Sequence, residues 1–440
     1  MTSVDPSNCF FNKSIETLTG DSLREWQNQR LRNLLAEIKP NQFYREKFKA
    51  RGLEFNDIKT VEDLRALAFT TKSELVAEQA QHPPFGRLLT YPRSRYRYLH
   101  QTSGTTGRPL KWLDTAESWQ WFVDGWGYVF RGAGVSEDDL IFCAFSFGPY
   151  ISHWVAIVGG WNIGAMCLAG GGLNSEQRLQ TLLDNQCTVL LCTPTYALHL
   201  ADRAAELGID LRNSSIRTTI HAGEPGASLP NIRKRIESAW GATCYDHAGA
   251  TEVGAWAFAC AQERAAIHLN EAEFIFEVID PQSGELLDAG KRGELVITNL
   301  GRAAMPVLRY RTGDLVEIID EPCACGRSFA RIKGGVLGRA DDMMIVRGVN
   351  IYPGAIDDLL GGLANIAEYE VQIRSISGMH DLLIKFEPTD ATGFQETSQT
   401  IANAFRNRFN IRVSIEGVAS GSLPRYEFKA RRYKRIAEET

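Results

Sequence analysis

Short apolar segments alternate with longer amphipathic segments between residues 95 and 300. The amphipathic segments, such as "SEQRLQTLLDNQ" and "TYALHLADRAAELG", carry apolar residues at helical spacing. The apolar segments predict strands at Leu140–Phe145, Ala165–Ala169, Thr188–Cys192, Thr218–Ala222 and Thr243–Asp246. Strands that alternate with helices are typical of an α/β fold with a largely parallel sheet, whose ligands bind beyond the carboxyl ends of the strands.

The pattern changes on both sides of this region. Residues 21–80 predict helices, and residues 273–350 predict strands and turns. After a junction at Gly338–Asp342, the sequence predicts a helix at Ile356–Leu363, a hairpin of "YEVQIRS" and "DLLIKFEP", a helix in "QETSQTIANAFRNRF" and a strand in "RVSIEGV". We therefore expect a large N-terminal domain at residues 1–340 and a small α+β domain at residues 341–440.

Composition narrows the class of protein. Hydrophobic residues make up 44% and charged residues 23%, which is ordinary for a globular protein, and the net charge of -5 argues against a nucleic-acid-binding surface. The uncharged stretch from Ile141 to Ser175 contains proline, asparagine and many glycines, which favours a buried core over a membrane span. The start has no signal-peptide pattern and there are nine cysteines, so we expect a cytoplasmic protein with free thiols or metal ligands.

The stretch "TSGTTGRP", residues 102–109, is a candidate phosphate-binding turn. Gly104 and Gly107 let the backbone turn tightly and approach a ligand closely. Hydroxyl groups and exposed N–H groups suit a polyphosphate. The hydroxyls belong to Thr102, Ser103, Thr105 and Thr106. The spacing differs from that of the P-loop of nucleotide triphosphatases.

Aromatic side chains follow the first predicted strand of the α/β region. Phe145, Phe147 and Tyr150 lie just after its end, where an aromatic wall with few polar groups suits an aryl or arylacetic acid. His221 and Ala222 precede the turn "GEP" and could border the same acid. We therefore expect these five residues to form the acyl pocket.

Three cysteines and a histidine form a second constellation. Cys323 and Cys325 lie in one turn, and Cys260 and His268 lie upstream. These residues supply one tetrahedral set of nitrogen and sulfur ligands for a structural zinc ion. Free thiols are the alternative interpretation.

Four separated motifs agree with one family. "TSGTTGRP", "HAGATE" (residues 247–252), "YRTGDL" (residues 310–315) and "GRADDMMIVRGVNIYP" (residues 338–353) resemble those of the adenylate-forming acyl-CoA ligases. The stretch "FYREKFKARG" and the later "VEDLRALAFTTKSEL" and "LPRYEFKARR" are similar to the phenylacetate–CoA ligase branch. The resemblance implies that a carboxylate attacks the α-phosphate of ATP, that pyrophosphate leaves, and that the acyl-adenylate then reacts with coenzyme A. It also implies magnesium and a mobile C-terminal domain.

The resemblance assigns roles to individual residues. It makes Thr102–Gly107 the pyrophosphate cradle and Lys429 the lysine that bridges the acyl carboxylate and the α-phosphate. Thr251 and Glu252 match the pair that binds phosphate and magnesium. The remaining matches are Asp314 on the ribose, Arg339 on the nucleotide, Gly223, Glu224 and Pro225 at the adenine pocket, and Asp341 as the hinge. Some members of the branch carry a Cys/His zinc site at the places of Cys260, His268, Cys323 and Cys325.

This sequence departs from the family at three positions. Arg108 replaces the usual lysine after the second glycine, and Phe428 replaces the glycine before Lys429. Ala248 replaces the aromatic residue that stacks on adenine. The nearby "YDH" segment offers Tyr245 and His247 as alternative rings, with Asp246 between them, and leaves open which ring covers the base.

The function predicted from these observations is ATP-dependent activation of an aryl or arylacetic acid and its transfer to coenzyme A. Two alternatives stay open: an adenylating enzyme whose acceptor is a carrier-protein thiol or an amine, and a nucleotide-binding regulator without turnover. Ala248 and Phe428 favour the regulator, whereas Glu252, Asp314 and Lys429 oppose it. A homodimer is expected from family analogy alone.

Overall fold

The protein is described by a computed structural model at residues 9–102, 108–347, 349–376, 379–390, 393–426 and 430–436. Six predicted site residues lie outside the described residues, namely Ser103, Gly104, Thr105, Thr106, Gly107 and Lys429. The described chain forms the expected α/β fold, with a large N-terminal domain built on one extended sheet and a smaller C-terminal α+β domain.

The N-terminal segment is helical, which confirms the prediction for residues 21–80. Its helices are α1 Lys13–Glu16, α2 Gly20–Glu37, α3 Gln42–Ala50 and α4 Lys72–Gln81. Helix α4 begins where it does because Thr71 and Glu74 form a capping box that satisfies free N–H groups of the first turn. Two strands follow as an antiparallel hairpin, β1 Tyr98–Gln101 and β2 Lys111–Asp114.

The centre of the chain alternates helices and strands as predicted. The elements are α5 Ala116–Gly132, β3 Leu140–Cys143, α6 Ile151–Asn162, β4 Met166–Ala169, α7 Ser175–Asp184, β5 Val189–Cys192, α8 Pro194–Glu206, β6 Thr218–His221, α9 Pro230–Trp240 and β7 Thr243–Ala250. The five strands pair in parallel in the order β4-β3-β5-β6-β7. Helix α8 starts sharply because Thr193 accepts a hydrogen bond from the Tyr196 amide and Pro194 occupies the first helical position.

Strand β7 is longer than the sequence predicts. It continues past Asp246 to Ala250 because a following strand, β8 Gly254–Phe258, pairs with this extension in antiparallel register. The sheet then continues through antiparallel strands in the order β8-β9-β13-β12-β11-β10, with β14 beside β12. Their bounds are β9 Ala266–Leu269, β10 Phe274–Ile279, β11 Arg292–Asn299, β12 Tyr310–Ile319, β13 Arg331–Lys333 and β14 Gly338–Arg339.

Both faces of the parallel part of the sheet are buried, and each face packs against a different set of helices. Tyr245 belongs to the core cluster on the side of α5 and α6, together with Ile220 and Leu191. Cys244 and Cys192 belong to the cluster on the side of α7, α8 and α9. Because side chains alternate along a strand, Asp246 and His247 at the end of β7 face opposite sides of the sheet.

The C-terminal domain has its own sheet and its own core. Its elements are β15 Met344–Val346, β16 Val349–Ile351, α10 Pro353–Gly361, β17 Ile366–Ile376, β18 Met379–Pro388, α11 Phe394–Phe409, β19 Ser414–Gly417 and β20 Tyr433–Ile436. The predicted hairpin is confirmed, because β17 and β18 pair in antiparallel register. We propose that the domains divide at residues 340–341, because β14 pairs with the large sheet and β15 with the small one.

Among the described residues, no helix is both long enough and apolar enough to cross a membrane.

Candidate active site

The two ends of the predicted phosphate-binding turn are joined to each other. The Thr102 amide donates to the Leu110 carbonyl at 2.9 Å, and the Leu110 amide donates to the Thr102 hydroxyl at 3.0 Å. The Thr102 side chain therefore closes the hairpin between β1 and β2. Its buried hydroxyl accepts this bond at the base of the turn, and its O–H is still a donor that a phosphate could use.

The aromatic residues of the predicted acyl pocket lie beside this hairpin. The Gln101 amide donates to the Pro149 carbonyl at 2.9 Å, so the end of β1 is bonded to the loop between β3 and α6. Phe145 is buried in that loop, and Phe147 packs edge-on against Trp154 with 5.0 Å between ring centroids. Tyr150 is half-buried and precedes α6 directly.

Glu252 is a buried carboxylate with one neutral and one cationic neighbour. The Tyr310 hydroxyl donates to Glu252 Oε1 at 2.7 Å, and the Lys72 ammonium lies 3.6 Å from the same oxygen. Burial raises the pKa of Tyr310 well above its usual range, so the phenol keeps its proton and remains a donor. A buried carboxylate is suited to coordinating a magnesium ion, and the ammonium group beside it is suited to phosphate oxygens.

A fully buried ion pair connects the turn at Thr251 to the hairpin. Arg302 donates to both carboxylate oxygens of Asp114 at 2.8 and 2.6 Å, and to the Thr251 carbonyl at 2.6 Å. Neither side chain of the pair is exposed to solvent. Because Asp114 ends β2, this bidentate contact holds the hairpin and the Thr251–Glu252 pair in one rigid unit.

Asp246 is held at the carboxyl end of β7. Its Oδ2 accepts hydrogen bonds from the Ser228 amide at 3.1 Å and from the Ser228 hydroxyl, and its Oδ1 accepts from the His247 amide at 3.0 Å. Burial raises the pKa of Asp246 to about 6, although the bonds from Ser228 oppose the shift. A side chain at Gly335 would collide with both Ser228 and Asp246, so this glycine makes room for the hydrogen-bonded pair.

Tyr245 and His247 face the α5 side of the sheet. His247 Nδ1–H donates to the Ala257 carbonyl at 2.8 Å, and the ring lies 4.7 Å from the Trp126 ring. Burial lowers the pKa of His247 to about 4, so the imidazole is neutral at physiological pH. Tyr245 lies in the hydrophobic core, and burial raises its pKa to about 12.

His221 lies on the other side of the sheet, at the end of β6. It is fully buried, its Nδ1–H donates to the Cys192 carbonyl at 3.2 Å, and its Nε2 has no hydrogen-bond partner among the described residues. Burial lowers the pKa of His221 to about 4. Ala222, the next residue, is half-buried at the start of the "GEP" turn.

Asp314 and Arg339, which are separated in sequence, face each other across β12 and β14. They are register partners, and Arg339 Nη1 lies 3.2 Å from Asp314 Oδ1. Arg339 also donates to the Thr312 carbonyl at 2.7 Å and lies 3.3 Å from Asp341. Gly313 has a positive φ of 75°, and a side chain there would collide with the Arg339 guanidinium. The pair and the predicted hinge therefore form one contiguous charged strip.

The "GEP" turn meets the C-terminal domain. Gly223 adopts a positive φ of 97° that favours glycine, and Pro225 is exposed beside it. Glu224 Oε1 accepts from the Thr195 amide at 2.9 Å, and Glu224 Oε2 accepts from the Ala430 amide at 2.8 Å. Ala430 directly follows the predicted catalytic lysine.

The predicted zinc ligands come together. Their ligand atoms all lie within 4.8 Å of one another, with 3.7 Å between the Cys260 and Cys323 sulfurs and 3.4 Å between the Cys325 sulfur and His268 Nε2. Tetrahedral zinc places such atoms about 3.5–3.8 Å apart. His268 Nδ1–H donates to the Phe329 carbonyl at 3.2 Å, which leaves Nε2 for a metal. The donor set therefore fits zinc.

The sequence analysis did not assign a role to three residues of this site. Lys72 and Tyr310 approach Glu252, and Arg302 supports Thr251. Tyr310 opens "YRTGDL", and Lys72 lies in "TTKSEL", so both were within recognised stretches. Arg302 follows a strand of ordinary appearance, and nothing in the sequence marks it.

Comparisons with known proteins agree with this geometry. The sequence matches the AMP-binding enzyme family at residues 41–305 and the AMP-binding enzyme C-terminal domain at residues 348–435. The phenylacetate-coenzyme A ligase of Thermus thermophilus is 31% identical over 395 residues, which cover 89% of this chain and 87% of that protein.

Solved structures of 2-hydroxyisobutyryl-CoA ligase are similar over almost the whole chain. The postadenylation state in complex with 2-HIB-AMP gives a TM-score of 0.91 at 29% identity, covering 97% of this chain and 92% of that one. The thioesterification state with 2-HIB-AMP and CoA gives a TM-score of 0.73 at 30% identity, with the same coverage.

The fold and site thus define an adenylate-forming enzyme, and the chain belongs to the AMP-binding enzyme family. Within that family it belongs to the phenylacetate–CoA ligase-like branch. It is an AMP-forming acid–CoA ligase, which uses ATP to adenylate a carboxylic acid and passes the acyl group to coenzyme A.

Proposed function

We propose that the acid is an aryl or arylacetic acid. The bond from Gln101 to Pro149 carries this proposal, because it brings the loop of Phe145, Phe147 and Tyr150 against the start of the phosphate-binding turn. An acid seated on these rings would hold its carboxylate towards the nucleotide. The phenylacetate-CoA ligases among the relatives support the same substrate class.

The nucleotide is proposed to lie along the carboxyl ends of the parallel strands. Glu252 would bind magnesium, Thr251 a phosphate, and Thr102–Gly107 would surround the pyrophosphate. The Asp314 carboxylate would accept hydrogen bonds from the ribose hydroxyls, and Arg339 would keep that carboxylate oriented. Gly223, Pro225 and Asp246 would border the adenine, and Lys429 would lie on the α-phosphate. Tyr245 and His247, which the sequence suggested as rings over the base, are buried on the opposite side of the sheet from Asp246, so neither would stack on this adenine.

Zinc is proposed for the Cys260, His268, Cys323 and Cys325 cluster. The ligand atoms of these four residues lie within 4.8 Å of one another, which supports one shared metal ion. All four positions are filled by protein atoms, so the metal would be structural and would leave no position for a reacting water molecule.

The test is a screen of carboxylic acid substrates with two readouts. Pyrophosphate release is measured over benzoates, phenylacetates, cinnamates and amino-aryl acids, with 2-hydroxyisobutyrate included because a similar ligase acts on it. The mass of the product is recorded with and without coenzyme A. We expect an aryl or arylacetic acid to give the highest kcat/KM and an acyl-CoA product. A preference for 2-hydroxyisobutyrate, or a product that forms equally without coenzyme A, would refute the proposal.

A further inference from the structure

Glu224 joins three parts of the chain that are far apart in sequence. Its Oε1 accepts from the Thr195 amide in the first turn of α8, and its Oε2 accepts from the Ala430 amide in the C-terminal tail. The amides of a first helical turn have no partner within the helix, so a carboxylate there is favoured. With both oxygens engaged, Glu224 fixes the backbone position of Ala430 relative to the large domain.

A second contact lies next to this carboxylate. Arg432 Nη1 donates to the Thr195 hydroxyl at 3.4 Å, and its other nitrogens donate to the buried Glu368 at 2.7 and 3.1 Å. The guanidinium also lies 4.8 Å from the centre of the Tyr369 ring. Arg432 is thereby anchored in the small domain, and its contact with Thr195 brings that domain to the same end of α8.

A third contact joins α9 to α10. The Asn231 amide and side chain donate to Asp358 at 3.1 and 3.0 Å, and the Arg235 side chain donates to the Gly361 carbonyl at 3.4 Å. A Cβ atom at Gly362 would lie 2.6 Å from Asn231 Nδ2, so a larger residue there would force the Asn231 side chain to move. Gly362 itself has φ −81°, which any residue adopts.

These three contacts belong to one arrangement of the domains. The structure is more similar to 2-hydroxyisobutyryl-CoA ligase in its postadenylation state than in its thioesterification state, with TM-scores of 0.91 and 0.73. Coverage of both chains is the same in the two comparisons, so the difference concerns the arrangement of parts and not their extent.

We propose that Glu224 is a positioning residue for the adenylation half-reaction. Its bond to the Ala430 amide positions the backbone next to the predicted catalytic residue, Lys429, for adenylation. The bond breaks when the small domain moves away for thioester formation. This inference rests on the proposed function of the site. It differs from the role expected from the sequence, in which Glu224 contacts the nucleotide.

The test measures the two half-reactions separately in Glu224→Ala. Acid-dependent ATP–pyrophosphate exchange reports adenylation, and thioester formation from supplied acyl-adenylate and coenzyme A reports the second step. Loss of a charge-assisted hydrogen bond should lower kcat for exchange roughly 10- to 100-fold, with little change in KM for ATP or in the second step. Glu224→Gln keeps one acceptor oxygen, so its loss should be intermediate.

Two further variants separate positioning from general damage. Gly362→Ala displaces the Asn231 side chain from Asp358 and should also lower exchange more than thioester formation. Glu206→Gln, at the exposed end of α8, is the control and should behave as the wild type. Equal loss of both half-reactions in Glu224→Ala, or a rise in KM for ATP at constant kcat, would overturn the proposal.

A measurement without turnover keeps the test independent of the substrate. Hydrogen–deuterium exchange of residues 430–436 should speed up at least several-fold in Glu224→Ala while α7 is unchanged. Unchanged exchange there would also overturn the proposal. A wild-type enzyme that exchanges pyrophosphate with no aryl acid would instead contradict the proposed substrate class alone.

Discussion

The environment of Glu252 favours a cation next to its carboxylate. Its carboxylate is buried, it accepts one hydrogen bond from Tyr310, and the nearest positive group is Lys72 at 3.6 Å. Lys72 compensates part of the charge of this buried carboxylate, and a bound magnesium ion would compensate it further.

We therefore expect Glu252→Gln to lower the adenylation rate about 100-fold and to raise the magnesium concentration needed for half-maximal rate. The amide can still accept from the Tyr310 hydroxyl, so the fold should be kept. Pyrophosphate release measured against magnesium concentration checks this. The assignment fails if the variant has the magnesium dependence of the wild type.

The burial of His221 predicts that the protein loses stability in acid. Its pKa is lowered by burial from 6.5 to about 4, so the unfolded chain binds the proton more readily between these values. The stability that the neutral ring provides is complete above about pH 6.5 and is lost as the pH falls towards 4, with about 2 kcal/mol lost between pH 7 and pH 5.

Denaturant unfolding at pH 7 and pH 5 measures this effect. We expect His221→Gln to lose less stability than the wild type when the pH is lowered, by about 2 kcal/mol. The exposed His82→Gln is the control and should follow the wild type. An identical pH dependence in all three proteins would show that another group causes the acid sensitivity.

Single residues were predictable from the sequence only where a motif names them. Asp314 and Arg339 were expected at one nucleotide, and the structure pairs them across two strands. Arg302 supports Thr251 from a position 51 residues away. No local pattern encodes such a contact, because it depends on how β2 and the segment after β11 are brought together.

Secondary-structure elements were predicted well where their periodicity is local. The helices of residues 21–80 and the β17–β18 hairpin follow directly from the spacing of apolar residues. The predicted end of β7 was wrong. The last four residues of that strand are extended because they pair with β8, and their own sequence pattern does not indicate a strand. Strand ends depend on pairing partners, which a single segment does not specify.

The Cys/His cluster joins strand β9 to the segment that follows β8 and to the turn before β13. His268 lies in β9, and Cys323 and Cys325 lie in the turn before β13. We expect the purified protein to hold about one zinc ion per chain and Cys323→Ala to lose it with a fall in Tm of several degrees. Metal analysis with Cys167→Ala as the control checks this. Full zinc content in Cys323→Ala would exclude the site.

At the scale of the whole molecule, the division into two domains was predictable but their docking was not. The change from alternating helices and strands to a small α+β unit marks the second domain in the sequence. The contacts of Glu224 with Ala430 and of Asn231 with Asp358 depend on the arrangement of complete domains. Both contacts are polar, which is common where two domains of one chain meet.

The division of labour between the domains gives a prediction for Lys429. We expect Lys429→Ala to abolish adenylation and to spare thioester formation from supplied acyl-adenylate, since the carboxylate attacks the α-phosphate only in the first step. Single-turnover assays of each step check this, with Lys434→Ala as the control. A variant that loses both steps equally would argue against two separate arrangements.

The central claim is that an aryl carboxylate attacks the α-phosphate of ATP in this site, and isotope transfer tests it most directly. Phenylacetate, or whichever aryl acid the screen selects, is labelled with 18O in its carboxylate and incubated with the enzyme, ATP, magnesium and coenzyme A. The account predicts one labelled oxygen in each AMP and one in each acyl-CoA, because the bond broken in the second step is the acyl–oxygen bond of the adenylate. Label in orthophosphate or pyrophosphate, or AMP formed without label, would contradict it.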